Sequence, residues 1–195
     1  MQRYREAIDL NGQEKNVRAA AENGYDVTKE QGTTREFYDS LPLDGRETMQ
    51  FFKNCASRQF PLTNLSENKL QPAETMAVQK LYFSVITMTA DTLIPVDFET
   101  IEEAALPGLY GADWSIHFDT QTVVKETPLA SSKSNFNRMA WFAANEVVWL
   151  ATNISLIPNK LFWLTLRMPE YTPVDDTYLR CTWIGQGTIA TSRQY

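Results

Sequence analysis

The stretch LFWLTLRM, residues 161–168, alternates strictly: Phe162, Leu164, Leu166 and Met168 fall on one side, Thr165 and Arg167 on the other. A strand sends successive side chains to opposite faces, so this is the pattern of a β-strand with one buried face and one wet face. Residues 178–184 repeat it, with Leu179, Cys181 and Trp183 opposed to Arg180 and Thr182. Upstream, Trp114, Ile116 and Phe118 alternate with Ser115, His117 and Asp119, and residues 121–127 give another short alternating stretch. MAVQKLYFSVITM, residues 76–88, is a long strand candidate, apolar on both faces towards its end, and EVVWLA, residues 146–151, is β-branched and aromatic. Residues 46–56 fit strand and helix equally.

The nine prolines fall between these apolar runs, as expected where the runs need their N–H groups for sheet pairing. Seven or eight strands with little helix imply an all-β fold, a single jelly roll or β-sandwich spanning residues 37–195. The expected core draws on Leu81, Phe83, Val85, Phe162, Leu164, Leu166, Leu179 and Trp183. One short helix is expected inside the long connection of residues 89–112, where Thr100 and Glu103 fit a capping box and Pro107 and Gly108 stop the run. Gly185 and Gly187 lack the phosphate-loop spacing and read as a bend or bulge near the last strand.

The first 36 residues differ. Large apolar side chains are sparse there, and acidic and basic residues are nearly balanced. Such a stretch cannot build a core of its own. It reads as an N-terminal extended arm, with a short helix predicted over 13–23 from the Glu14/Arg18 spacing and the run Ala19 to Ala21. A genome-binding arm would be a block of positive charge. This mixed one points to contact with neighbouring proteins through Tyr4, Ile8, Leu10, Tyr25 and Val27.

Net charge is −6 and the sequence pI about 4.9, against a surface that coats nucleic acid directly. No apolar run approaches the ~18 residues of a membrane span, and residues 1–10 are polar and charged, unlike a signal peptide. Cys55 and Cys181, far apart in sequence, read as free, partly buried thiols. Asn64 and Asn153 match the glycosylation acceptor pattern, read as coincidence.

Much catalytic chemistry lacks its residues. His117 is the only histidine, so a site needing two is impossible, which sets aside the usual metal-binding cupins. Any Ser-His-Asp or Cys-His arrangement would have to use His117, which reads as a surface or interface histidine on a polar strand face. Glu102 with Glu103, and Asp175 with Asp176, read as a helix start and a turn rather than a carboxylate pair or a calcium loop. No catalytic residue, cofactor or metal is expected. Trp114, Trp141, Trp149, Trp163 and Trp183 could offer sugar platforms, but strand tryptophans more often serve packing.

The segment ATNISLIPNKLFWLTLRMP, residues 151–169, resembles the late part of the jelly-roll capsid proteins of tailless icosahedral bacteriophages, in which an apolar strand closes with an Ile-Pro-Asn type of turn before a strongly alternating strand. Here the turn is Ile157, Pro158 and Asn159. Residues 177–191 are similar to the terminal strand of such proteins, and residues 51–68 to their opening strands. The resemblance implies a structural virion protein without enzyme activity. It would be a shell or vertex subunit that meets copies of itself and other virion proteins. The alternative is a non-catalytic β-sandwich binding module that recognises a glycan or host receptor.

Overall fold

The computed structural model describes residues 30–72, 74–89, 92–95, 108–109, 111–128 and 148–190. The helices expected over 13–23 and near Thr100, and all of residues 1–29, lie outside these. Among the described residues nine strands follow in order: β1 (Glu30–Pro42), β2 (Thr48–Phe51), β3 (Thr75–Thr89), β4 (Thr92–Pro95), β5 (Asp113–Phe118), β6 (Gln121–Pro128), β7 (Val148–Leu156), β8 (Phe162–Arg167) and β9 (Thr177–Ala190). Residues 30–36, read from the sequence as the end of the arm, are therefore strand, since Glu30 already pairs with Ala190. The ambiguous stretch 46–56 resolves into two short elements, β2 and a 3-10 turn at Cys55–Ser57.

Two antiparallel sheets stack as a sandwich. The first has the order β1-β9-β3, with β7 and β4 sharing the free edge of β3; the second has the order β2-β8-β5-β6. β7 lies along Met76 to Leu81 and β4 along Ile86 to Thr89. The pairings are nested: β1 with β9, β2 with β8, β3 with β7 and β5 with β6. This is one long hairpin rolled up, and the contacts of β9 with β3 and β8 with β5 join alternate pairs into the two sheets. The result is the eight-stranded jelly roll, with β4 added to an edge.

All eight residues expected in the core are buried. Phe162 of the second sheet joins the layers. Its ring stacks 6.2 Å from Phe37 and lies 5.7 Å from Trp183, both on the first sheet, and 6.0 Å from Phe52. Phe52 in turn lies 4.7 Å from Trp183. Tilted and offset rings at such separations are favourable beyond the area they bury. Among the described residues the prolines end strands or stand outside them: Pro42, Pro95 and Pro128 are last residues of β1, β4 and β6. There, a missing N–H costs the ladder least.

The bend or bulge expected at Gly185 and Gly187 is not in β9, which keeps unbroken register with β1; the irregularity lies opposite, in β3. The register of β3 slips between Val78 and Lys80, opposite Gly185 and Ile184. A Cβ at Gly185 would lie 2.0 Å from the carbonyl oxygen of Ala77, and one at Gly187 2.2 Å from that of Thr75. The two glycines let β9 approach β3 more closely than any side chain would allow.

Candidate functional site

The arm residues Tyr4, Ile8, Leu10, Tyr25 and Val27 lie outside the described residues, as do Glu102, Glu103, Trp141 and the side chain of Trp149. What the structure places are two sheet faces and the edge that joins them.

That edge is built around a residue the sequence reading did not single out. Asp39 sits on the core side of β1, between Phe37 and Leu41, and is wholly buried. Its carboxylate accepts the backbone N–H of Phe52 at 2.6 Å and bonds from Arg58 Nε and Nη2 at 2.8 and 2.5 Å. Phe52 follows β2 with φ +69, so the chain turns sharply there, and the carboxylate takes up the N–H exposed by the turn. Asp39 thus ties β1 of one sheet to the end of β2 in the other and to the connection leading to β3.

That connection then runs along the outer edge of β1. Thr63 bridges Asp39, Asn64 Oδ1 accepts the N–H of Tyr38 at 2.8 Å, and Asn64 Nδ2 donates to the carbonyl of Glu36 at 2.7 Å. An edge strand offers unpaired backbone groups to any other chain, and covering them blocks that. The Asn64 amide, part of an acceptor motif for glycosylation, is engaged in this cover.

On the outer face of the first sheet, Tyr38, Thr182 and Tyr82 form one cross-strand row. The Arg180 guanidinium stands 4.1 Å over the Tyr38 ring and also donates to Ser40 Oγ and to the carbonyl of Pro61. Tyr82 Oη reaches Glu36 at 3.4 Å. Burial pushes the Arg180 pKa down and the Tyr82 pKa up. Tyrosine and arginine, partly desolvated here on an outer sheet face, are residue types enriched at protein interfaces.

On the outer face of the second sheet, β5 and β8 place His117 opposite Trp163. The two rings stack at 4.9 Å and 11°. His117 Nε2 lies 3.0 Å from Ser115 Oγ and Nδ1 3.1 Å from Thr122 Oγ1, and Lys53 Nζ stands 5.5 Å from the Trp163 ring centre. Burial, and then the charge of Lys53, hold the imidazole pKa below its ordinary 6.5. Trp114 and Trp183 are core residues instead.

Asp175 and Asp176 are exposed residues of the turn into β9; Asp176 has φ +52 and its carbonyl accepts the N–H of Met88. Cys55 and Cys181 are free and buried. Burial, reinforced by the charge of Asp39, pushes the Cys55 pKa up to about 11 and raises that of Cys181 well above its ordinary value, so both stay as unreactive thiols. Among the described residues, no three His, Cys, Asp or Glu side chains gather into a group able to hold a metal ion, and no helix is long and apolar enough to cross a membrane. Among the described residues, the exposed large apolar side chains are Phe60, Val123 and Leu161, placed singly on the β2–β3 connection, on β6 and just before β8. Comparison with models of known protein families and with curated proteins finds no match.

Proposed function

We propose that this chain is a structural subunit of a viral capsid, a shell or vertex protein that assembles with copies of itself through the flanks of the jelly roll and through its N-terminal residues. The nested pairing of β1 with β9, β2 with β8, β3 with β7 and β5 with β6 carries the reading. Viral shells, lectins and cupins all use this roll, so the topology alone does not choose among them. A metal-binding cupin needs several histidines, and the sequence has one. A sugar platform needs an open aromatic face, and among the described tryptophans the solvent-side Trp163 already carries His117 and Lys53. The Tyr38–Thr182–Tyr82 row with Arg180 suits contact with protein.

The test is the size of the purified full chain, by light scattering and electron microscopy across protein concentration and salt. Closed particles or discrete ring-shaped oligomers are expected. A chain that stays monomeric throughout, and binds sugars saturably on a glycan array, would instead be a recognition module.

A further inference from the structure

We propose that His117, Trp163 and Lys53 form a proton-operated latch between the outer face of the second sheet and the start of the β2–β3 connection, in which protonation of His117 releases Lys53 from the indole. The neutral imidazole lies flat on Trp163 at 4.9 Å, and the Lys53 ammonium stands 5.5 Å from the centre of the same ring. An indole attracts one cation readily through its ring quadrupole. When solvent delivers a proton to the imidazole, two like charges share one ring. Ser115 and Thr122 hydroxyls, at 3.0 and 3.1 Å, can each accept a hydrogen bond from the imidazolium and keep it in place. Lys53 has an exposed, flexible side chain and no such anchor to the face, so it is the group that leaves.

Among the described residues, the other charges on this face are mostly matched. Arg167 of β8 pairs with Glu126 of β6 at 2.8 Å, and Asp119 at the β5–β6 turn pairs with Lys160 at 2.8 Å. Asp113 lies at the far end of β5, opposite Arg167, and Lys125 is exposed on β6. Lys53 is the charge that acts on the imidazole. It also directly follows Phe52, whose N–H is held by buried Asp39. Release therefore acts next to the turn held by Asp39, at the second residue of the connection that goes on to cover the β1 edge.

The pH window follows from the direction of the shift. A folded-state pKa below the unfolded one means the unfolded chain takes the proton first. The stabilisation is whole above about pH 6.5 and is lost as the pH falls from there through the folded-state value.

Because the sequence holds one histidine, selective labelling of histidine in the full chain gives a single ring signal to titrate by NMR. Its midpoint is expected below 6.5 and is expected to move up in Lys53→Met. The backbone amides of residues 53–57 are expected to shift with the same midpoint, and to lose that transition in His117→Asn. A midpoint indifferent to Lys53→Met, or amides that stay flat in the parent protein, overturns the latch. Should His117→Asn not fold, the Lys53→Met comparison decides alone.

Discussion

Asp39 breaks the apolar rhythm of its strand. Phe37 and Leu41 face the core on either side of it, so a carboxylate at that register looks, in sequence, like a wet-face residue, and β1 is the strand whose alternation is hardest to read. Only the positions of Phe52 and Arg58 explain why a charge is tolerated there, and both come from a turn that no local pattern announces. A buried pair of this kind is costly to break because the survivor is left charged and unmatched. Asp39→Ala should lower unfolding free energy by about 3–5 kcal/mol in urea titrations. The double change Asp39→Leu with Arg58→Leu should cost less than the single one, since it leaves no orphan charge. Equal or larger loss in the double variant would show that the carboxylate contributes through the Phe52 N–H rather than through Arg58. Gly185 is different, because the sequence pointed to an irregularity there but not to the strand that carries it, β3. With the Ala77 carbonyl oxygen 2.0 Å from where a Cβ would stand, Gly185→Ala must displace backbone of β3. A loss of about 1–3 kcal/mol is expected by the same titration, the range of overpacked interiors. A neutral substitution would mean that β3 yields freely at its bulge.

Among the strands, legibility tracks how one-sided the burial is. β8 and the first half of β9 have cores of Phe162, Leu164 and Leu166, or Leu179, Cys181 and Trp183, against solvent-side partners, and both are plain from alternation. β6 shows the same alternation yet buries little on either face, because it is the outermost strand of its sheet. Its Lys125 and its terminal Pro128 are the residue types that discourage another strand from adding to an edge. The stretch 46–56 defeated a periodic reading for a geometric reason: four residues of strand, a left-handed residue at Phe52 and a 3-10 turn each have a different period. The edge of β1 is protected by yet another device, a side-chain amide, and Asn64 carries no sequence mark that separates a strand cover from a glycan acceptor.

For the molecule as a whole, the first strand pairs with the last, and only this long-range closure turns a set of alternating segments into a roll. Local patterns give most of the strands and their faces; they hold no information on which strand lies beside which, since pairing is decided by contacts between segments far apart in the chain. The same closure bears on assembly. Among the described residues pairing begins at Glu30, so a cut after Lys29 removes none of the described bonds between β1 and β9. Removal of residues 1–29 should therefore leave the unfolding midpoint and the tryptophan fluorescence of the roll unchanged. Under the proposed function it should also shrink or abolish the particles seen by light scattering, because many weak contacts act together in a shell and the loss of one class per subunit is multiplied by the number of copies. A truncated chain that unfolds early would show that the leading residues stabilise their own roll. One that is equally stable and still forms the full-sized particle would place assembly on the sheet faces instead, with the Tyr38, Tyr82 and Arg180 surface as the first place to look.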